Sequence, residues 1–364
     1  MQYKTYGQTG KTISVISFGG MRFPEPEKID EQAELVVYAH GKGINYFDTA
    51  PYYCNDKSEE IVGSAVRQLK RDTFYVSTKC GAEDGGQVRA SLEKSLQRMN
   101  VEKIDFFHIW GVMSLEAWGN RKAKGAVAAV RKAKEEGLVG HVVCSSHMPG
   151  KDIRVMLAEG MVEGVTLGYC AINFPYRDDA VAAAGEMNLG VVTMNPLGGG
   201  LIPQNAERFA FLKGPDDPSV VAAALRFNVS HPAVTSALVG FSSKQQIDEA
   251  VAAVANFKPH TPARIAEIRT HILASFEGLC TGCGYCLPCP ENIRIPQMMD
   301  TFNQSLLSDR GTRGMWERLK WHWGATNDEA ARCNECGACE DRCTQHLPIR
   351  ERMKVVATLV EEKK

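Results

Sequence analysis

Eight of the twelve cysteines in the sequence lie in two short runs. The first run is Cys280-Thr-Gly-Cys283-Gly-Tyr-Cys286-Leu-Pro-Cys289. The second run is Cys333-Asn-Glu-Cys336-Gly-Ala-Cys339-Glu-Asp-Arg-Cys343. Each run places a thiolate every three or four residues, so a folded backbone can wrap one inorganic core. Such spacing, used twice, is typical of two 4Fe–4S clusters. Zinc is the alternative, but zinc sites usually use two CxxC pairs separated by a gap or by histidines.

The composition limits the classes of function that need considering. The chain has 364 residues, 44% of them apolar, and a formal net charge of -1. That length allows a sizeable core and a second module. The near-zero charge gives no electrostatic basis for binding nucleic acid or a membrane surface, and no run of about twenty apolar residues predicts a membrane span.

Four further cysteines are scattered, and we expect them to be small buried hydrophobes. They are Cys54, Cys80, Cys144 and Cys170. The N-terminal residues do not have the pattern of a signal peptide. Reduced thiols and cluster assembly both suit the cytoplasm, which is the expected location.

Eight short apolar runs alternate with longer helical stretches in the first two-thirds of the chain. The runs are Val15–Gly20, Ile44–Ala50, Phe74–Cys80, Ile104–Gly111, Leu138–Ser145, Val165–Asn173, Gly190–Pro196 and Ser236–Ser242. Eight such units predict an α/β fold, a (β/α)8 TIM barrel. The alternative is an open doubly wound sheet, which should show GxGxxG after its first strand. The segment after the first run, Gly19-Gly20-Met21-Arg22, lacks that pattern.

The proline-bearing segment Lys258-Pro-His-Thr-Pro262 predicts the end of the barrel. We therefore expect a barrel domain over residues 1–262 and a cluster-binding domain over residues 263–364. The spacer between the cysteine runs has helical composition at Met298–Leu307 and Met315–Trp323. These stretches predict a small, mainly helical two-cluster domain, and residues 349–364 predict a final amphipathic helix.

Two strand ends carry residues suited to proton transfer. The active site of a (β/α)8 barrel lies at the C-terminal ends of its strands. Asp48 ends the second predicted strand and Lys79 the third, so they should form a buried pair. Beside that pair, the positive charge of Lys79 would favour the phenolate of a nearby tyrosine, Tyr52 or Tyr53, and lower its pKa. That tyrosine would then protonate a carbonyl oxygen, or act as a base in reverse. A purely structural ion pair is the alternative for Asp48 and Lys79.

These motifs together resemble the aldo-keto reductase family. They are Gly19-Gly20-Met21-Arg22, Phe47-Asp48-Thr49-Ala50 with Tyr53, Ser58-Glu59-Glu60, Ser77-Thr78-Lys79 and Pro196-Leu197-Gly198-Gly199. The cysteine runs resemble the branch of that family with a C-terminal ferredoxin-type domain. The resemblance covers nearly the whole chain. It implies a barrel that binds NAD(P)H and transfers hydride to a carbonyl carbon, with Tyr53 as proton donor and Asp48 and Lys79 tuning it.

Two positions depart from the family pattern. The family usually has a histidine five residues after Asp105, and this chain has Trp110 there. An indole donates a hydrogen bond but does not titrate. His108 lies on the same strand face, about 6.6 Å deeper, and is either a displaced helper or a packed core histidine. The family's glutamine is replaced by Tyr169, with Asn173 four residues further on.

The resemblance also implies a nicotinamide site. Ser145 and Asn173 would bind the carboxamide, Met194 would lie against the ring, and the backbone of Leu197–Gly200 would bind the pyrophosphate. The complete predicted set is Gly20, Met21, Arg22, Ser145, Asn173, Met194, Pro196, Leu197, Gly198, Gly199, Gly200, Gly240, Ser242, Ser243, Lys244, Gln246 and Glu249. The choice between NADH and NADPH stays open, since Lys244 alone resembles a ligand of a 2′-phosphate.

In two-cluster proteins the fourth cysteine of one run ligates the other cluster. One predicted set is Cys280, Cys283, Cys286 and Cys343. The other is Cys289, Cys333, Cys336 and Cys339. Pro290 follows Cys289, whereas Thr344 stands where a second proline is common.

The predicted function is an oxidoreductase acting on a small carbonyl or alcohol, with clusters that relay electrons or are structural. Nicotinamide delivers two electrons together and each cluster passes one, so a relay needs a one-electron carrier such as a flavin or an external ferredoxin partner. The alternative is an electron-transfer or regulatory module on a barrel whose reductase site is altered. Trp110 and Tyr169 favour that alternative.

Overall fold

The computed structural model describes residues 1–360. Eight parallel strands form a closed barrel in which neighbours in sequence are hydrogen-bonded and the last strand lies beside the first. Their bounds are β3 Ile16–Gly19, β4 Tyr46–Asp48, β5 Tyr75–Cys80, β6 Ile104–Val112, β7 Val139–Ser146, β8 Gly164–Gly168, β9 Gly190–Met194 and β10 Ser236–Gly240. Each predicted apolar run overlaps one of these strands, so the predicted (β/α)8 barrel is confirmed. The apolar runs form strands because a parallel sheet covered by helices buries both of its faces.

A short antiparallel hairpin precedes the barrel, with β1 at Tyr3–Thr5 and β2 at Thr12–Ser14. Between these strands, Tyr6 is fully buried and packs with Phe106, their ring centroids 4.7 Å apart. The first residues of two barrel strands make room for the Tyr6 ring. A Cβ at Gly164 would lie 2.2 Å from Tyr6 Oη, and one at Gly190 would lie 2.0 Å from Tyr6 Cδ1. The hairpin therefore inserts an aromatic side chain into the barrel core.

Helices follow the barrel strands. They are α1 Ile29–Gly41, α2 Ser58–Val66, α3 Gly85–Met99, α4 Leu115–Ala123, α5 Ala126–Glu135, α6 Gly150–Ala158, α7 Asp178–Glu186, α8 Leu201–Gln204, α9 Val220–Ser230 and α10 Lys244–Val254. The sequence predicted neither the short α8 nor α4, and α4 begins where Ser114 accepts a hydrogen bond from the Ala117 amide at 3.0 Å. Its polar, glycine-containing sequence has only a weak apolar face, which is why periodicity missed it.

The chain forms two compact units. The first comprises Met1–Cys170, Tyr176–Leu197 and Lys213–Thr261. The second comprises Ala171–Pro175, Gly198–Leu212 and the chain from Pro262 onward. Two segments that follow β8 and β9 in sequence thus belong to the second unit. The domain boundary placed between residues 262 and 263 stays a prediction.

The second unit is mainly helical. Its helices are α11 Pro262–Ser275, α12 Ile295–Leu307, α13 Gly311–Glu317, α14 Asn327–Ala331, α15 Ala338–Asp341 and α16 Ile349–Ala357. A π-helical turn at Arg318–His322 continues α13. A core that includes Met298, Met315 and Met353 packs against five of the cysteines from the two runs and contains Cys343 itself. None of the described helices is long and apolar enough to cross a membrane.

Candidate active site and cluster site

Asp48 and Lys79 form a buried ion pair at the ends of β4 and β5. Asp48 Oδ2 accepts a hydrogen bond from Lys79 Nζ, and Asp48 Oδ1 accepts one from Ser77 Oγ at 2.8 Å. Lys79 Nζ also donates to the Thr49 carbonyl oxygen at 3.0 Å. Burial lowers the pKa of Lys79, and the charge of Asp48 opposes that shift. The pair places a cation at the strand ends in a fixed position.

Tyr53 lies beside this cation. Lys79 Nζ is 5.5 Å from the centroid of the Tyr53 ring. The ring of Trp110 meets the Tyr53 ring edge-on, with centroids 5.7 Å apart and an angle of 89° between the planes. The Trp110 carbonyl in turn accepts a hydrogen bond from Arg121 Nη2 at 2.9 Å. Three of the predicted catalytic residues, Tyr53, Lys79 and Trp110, are therefore in one group.

The loop that carries Tyr53 has an unusual backbone. Tyr52, Cys54, Asn55 and Asp56 all have left-handed φ angles, between 53° and 71°. Such angles are costly for residues other than glycine and persist only where the surroundings fix them. Here Asp56 Oδ1 accepts a hydrogen bond from the Tyr52 amide at 3.2 Å, and Arg98 Nη1 donates to the same oxygen at 2.6 Å. The loop is held in a conformation that its own residues disfavour.

His108 is fully buried and belongs to a hydrogen-bonded network behind the ion pair. Its Nδ1 lies 3.2 Å from Ser77 Oγ and 3.4 Å from the Thr78 carbonyl oxygen, and its Nε2 lies 2.8 Å from Thr166 Oγ1. A carbonyl oxygen only accepts, so Nδ1 carries the proton and Nε2 accepts from Thr166. Burial and the nearby charge of Lys79 hold the pKa of His108 well below 6.5. His108 is thus a neutral core histidine that supports Asp48 through Ser77.

Sequence reasoning did not identify Thr166 or the support of Thr78 by Glu59. Thr78 Oγ1 donates to Glu59 Oε1 at 2.6 Å, and Arg98 Nη1 donates to Glu59 Oε2 at 3.3 Å. A glutamate that is only 1% exposed is rarely tolerated without such partners. The available signal for Thr166 was a polar residue inside an otherwise apolar strand.

Several predicted nucleotide-binding residues lie at the ends of β10 and β3 in the first unit. A Cβ at Gly240 would lie 2.6 Å from Arg22 Cγ, so Arg22 packs directly on that glycine. Ser243 caps α10 by accepting from the Gln246 amide at 3.3 Å, and Gln246 Oε1 accepts from the Ser242 amide at 2.9 Å. An ordered helix N-terminus of this kind suits phosphate binding. That these residues bind nucleotide stays a prediction.

Other residues predicted for the nucleotide are engaged with protein groups or are exposed. Ser145 is buried and accepts from the Gly111 amide at 2.9 Å. Glu249 accepts from Ser219 Oγ at 2.7 Å, and Lys244 pairs with Glu34 at 3.8 Å. Further members occupy strand ends and loops of the first unit: buried Gly20 and Pro196, half-buried Met194 and Leu197, and exposed Met21.

The remaining predicted nucleotide residues belong to the second unit. Gly198, Gly199 and Gly200 have φ angles of 62°, 69° and 104°, which favour glycine. A Cβ at Gly199 would lie 2.2 Å from the Thr281 carbonyl oxygen. Asn173 Nδ2 donates to Gln345 Oε1 at 3.2 Å. Both segments therefore contact parts of the chain next to the cysteines.

The structure places the cysteines of the two runs near one another, and their division into two ligand sets stays a prediction. Cys283, Cys286 and Cys343 each raise the pKa of Cys280 by their charge, in addition to the larger effect of burial. The members of the other set, Cys289, Cys333, Cys336 and Cys339, line one cavity together with Cys286. All twelve thiols are free of disulfide bonds.

The thiols fit an iron–sulfur centre chemically. Burial raises the pKa of Cys280 and of Cys286 to about 12, so the thiolates that ligate iron need the positive charge of bound metal. Amide donors lie ready, with the Gly282 amide 3.4 Å from Cys280 Sγ. The buried hydroxyl of Thr281 has no hydrogen-bond partner among the described residues, and cluster sulfides accept such bonds. In residues 1–360, no three or more His, Cys, Asp or Glu side chains are close enough together to hold a single metal ion.

A closed (β/α)8 barrel with an Asp–Lys–Tyr group at its strand ends, followed by two runs of four cysteines, defines an iron–sulfur oxidoreductase. The chain belongs to the aldo/keto reductase family, whose family model matches residues 15–272. A 4Fe–4S dicluster domain matches residues 279–348. The dicluster domain supports iron–sulfur cofactors, and the aldo/keto reductase domain supports a nicotinamide cofactor.

Known proteins are similar to this chain over about 70–75% of its length. L-galactose dehydrogenase of Arabidopsis thaliana is 27% identical over 287 residues, which cover 70% of this chain and 88% of that protein. An uncharacterised oxidoreductase, YqkF of Bacillus subtilis, is 24% identical over 310 residues, covering 74% of this chain and 96% of that protein. The holo form of aldo-keto reductase AKR11C1 from Bacillus halodurans matches with a TM-score of 0.64 and 21% identity, over 75% of this chain and 96% of that one. This last likeness shows the fold alone.

Proposed function

We propose that the barrel catalyses NAD(P)-linked reduction of a small-molecule carbonyl, or the reverse oxidation of an alcohol, with Tyr53 as general acid and base. The observation that supports this proposal is the position of Lys79 Nζ, 5.5 Å from the centroid of the Tyr53 ring and backed by Asp48. A buried ammonium beside a phenol stabilises the phenolate that remains when the phenol gives up its proton.

Each residue then has one role. Bound nicotinamide supplies a hydride to the carbonyl carbon. Tyr53 gives its proton to the oxygen that becomes negative, and takes a proton from the alcohol in reverse. Asp48 holds Lys79 in place and is itself held by Ser77. Trp110 fixes the Tyr53 ring edge-on, and its indole N–H is a donor for a carbonyl oxygen.

The test is the pair of variants Tyr53→Phe and Tyr52→Phe. The two tyrosines are adjacent, and Tyr52 is 79% exposed, so it is a matched control for the loop. Turnover of a panel of aldehydes and ketones with NADH and NADPH should fall about 10²–10⁴-fold in Tyr53→Phe, the usual loss of general acid catalysis. It should be unchanged in Tyr52→Phe. Unchanged turnover in Tyr53→Phe would rule out the acid–base role.

The clusters are proposed to relay single electrons to or from an external carrier, a ferredoxin or a flavin protein, or else to be structural. Anaerobic protein titrated with NADH and NADPH separates these roles. Bleaching of the cluster absorbance without added carrier indicates a direct route. Bleaching only after a flavin or ferredoxin is added indicates the external carrier, and no bleaching under either condition indicates structural clusters. Free thiols and cluster assembly support a cytoplasmic location.

Trp110 favours a second candidate, a regulatory or electron-transfer module on a barrel that has lost turnover. Trp110 cannot share proton transfer as the family's histidine can. On this reading the protein binds nucleotide and its clusters cycle, but no carbonyl or alcohol in the panel is turned over. A Trp110→His variant that gains activity would support this second candidate.

A further inference from the structure

Thr344, which stands where two-cluster sequences often have proline, joins a line of hydrogen bonds that ends at a cluster cysteine. Its hydroxyl is buried, and Oγ1 lies 3.3 Å from Cys283 Sγ. Gln345 Nε2 donates to the same Oγ1 at 3.2 Å, and Gln345 Oε1 accepts from Asn173 Nδ2 at 3.2 Å. Asn173 and Cys283 are thus connected through two side chains within the second unit.

Every hydrogen bond in this line is donated in the same direction, from Asn173 towards Cys283. The Asn173 amide donates to Gln345, and the Gln345 amide donates to the Thr344 oxygen. A hydroxyl has a single hydrogen, and a metal-bound thiolate is an acceptor, so the Thr344 O–H donates to Cys283 Sγ. Donors arranged in this way polarise one another, and each strengthens the next.

We propose that this line, named here the Asn173–Cys283 line, raises the reduction potential of the cluster held by Cys283 and couples that potential to a ligand at Asn173. Hydrogen bonds to cluster sulfurs tune the potential of iron–sulfur centres, because they stabilise the extra negative charge of the reduced form. Proline in place of Thr344 has no hydroxyl to donate. Thr344 is therefore a positioning and tuning residue.

A second contact brings the predicted nucleotide loop to the same cysteines. Gly199 lies so close to the Thr281 carbonyl that a Cβ there would be 2.2 Å from its oxygen. Thr281 follows Cys280 directly, and Cys280 belongs to the set that includes Cys283. Two segments predicted to bind the nucleotide, one at Asn173 and one at Gly199, thus contact residues next to one cluster set.

The coupling part rests on the proposed binding of NAD(P). A carboxamide N–H that donates to Asn173 Oδ1 makes the Asn173 amide a stronger donor, so the bond to Cys283 strengthens and the potential rises. Coupling is reciprocal, so the reduced protein must then bind the nucleotide more tightly than the oxidised protein by the same free energy. A tenfold ratio of Kd corresponds to about 59 mV for a one-electron couple.

The first experiment needs no nucleotide. Anaerobic reconstituted protein is titrated potentiometrically with dithionite, and each cluster is followed by electron paramagnetic resonance. Thr344→Val should shift one of the two potentials to a more negative value, whereas Thr344→Ser, which keeps the hydroxyl, should stay near the unsubstituted protein. Thr270→Val is the matched control, because Thr270 is exposed and donates within its own helix. Equal potentials in Thr344→Val and the control would overturn the proposal.

The second experiment measures the Kd of redox-inert tetrahydro-NADH and tetrahydro-NADPH for the oxidised and dithionite-reduced protein. Tighter binding to the reduced form is expected, and Gln345→Leu should bring the two Kd values together while binding persists. Equal Kd values in the unsubstituted protein would refute the coupling. Failure of both nucleotides to bind would instead overturn the proposed function, and the Thr344 result would still stand on its own.

Discussion

The strand-end group of the barrel and the cysteine sets of the second unit obtain their stability in different ways. In the barrel, the Asp48 carboxylate already has Lys79 and Ser77 as partners. In the second unit, burial raises the pKa of Cys280 and of Cys286 to about 12, so the thiolate forms are disfavoured by the polypeptide alone. The first site is complete in the protein, whereas the second requires metal.

This difference has a consequence for folding. The barrel core is built from paired strands and buried aromatic side chains such as Tyr6, Tyr46 and Phe106. Most of the buried apolar residues lie in the barrel, and the core of the second unit includes Cys343. Small domains with few apolar residues commonly depend on metal for stability. We therefore expect the two units to respond differently to loss of iron.

The largest effect should follow iron removal. Anaerobic chelation should melt the helices of the second unit and leave the barrel folded, because metal binding contributes on the order of 10 kcal/mol to small zinc domains and comparable ligation is lost here. Circular dichroism measures the total loss of helix, and limited proteolysis shows which unit has unfolded. Cys343→Ser should lower the iron content from about eight to about four per chain, whereas Cys54→Ser, outside the runs, should leave it unchanged. Intact helices in the iron-free protein would contradict the inference that the second unit, unlike the barrel, requires metal to fold.

The next largest effect on stability should follow loss of the Asp48–Lys79 ion pair in the barrel. Lys79→Met leaves the Asp48 carboxylate buried without its cation, and should destabilise the barrel by about 3–5 kcal/mol. Asp48→Asn combined with Lys79→Met should cost less than the sum of the single changes, since the double variant buries no unpaired charge. Denaturant unfolding of the iron-loaded protein gives these values. Lys122→Met, which removes a partly exposed partner of Glu159, is the control and should cost about 0–1 kcal/mol.

The sequence predicted different features of the two sites. The barrel followed from eight apolar runs alternating with helices. Asp48 and Lys79 followed from their places at strand ends, whereas Tyr53 and Trp110 followed from the resemblance to the family. Side-chain direction inside the barrel is not visible in such a pattern, so the contacts of His108 with Ser77 and Thr166 were not predicted.

The cysteine spacing predicted the cluster domain because the ligands are close in sequence. The contact between Asn173 and Gln345 joins positions 172 residues apart, and no local pattern encodes it. The sequence did single out Thr344 as a departure, but it could not show that the hydroxyl faces Cys283.

A smaller effect should appear in the pH dependence of barrel stability. The pKa of His108 in the folded barrel lies well below 6.5, through burial and then the charge of Lys79. As the pH is lowered, the imidazole of His108 therefore becomes protonated in the unfolded chain before it does so in the folded barrel. The free energy of unfolding then falls as pH drops below about 6.5, by up to about 1.4 kcal/mol per pH unit. His108→Asn should remove this part of the slope whatever its overall cost.

Denaturant unfolding between pH 7.5 and pH 5 measures this slope. His40→Asn serves as the control, because His40 is only half-buried, in the outer helix α1, and contacts Thr73. A His108→Asn barrel that keeps the full slope would show that other groups cause it, and that His108 is not held neutral by its surroundings.

The smallest effect on stability, and the sharpest contrast between the regions, should come from two surface ion pairs. Arg154 pairs with Glu186 on the barrel, and Arg350 pairs with Glu340 in the second unit. Exposed pairs contribute little, so neither Arg154→Met nor Arg350→Met should change the melting temperature measurably.

The two substitutions should differ in their effect on the clusters. Glu340 acts on Cys339, whose pKa is raised to about 11 by burial and then by the charge of Glu340. Without Arg350 that negative charge is uncompensated, so the potential of the cluster held by Cys339 should become more negative. Arg154→Met should leave both potentials unchanged, and the same result for Arg350→Met would show that surface charge near the cysteines is screened as completely as on the barrel.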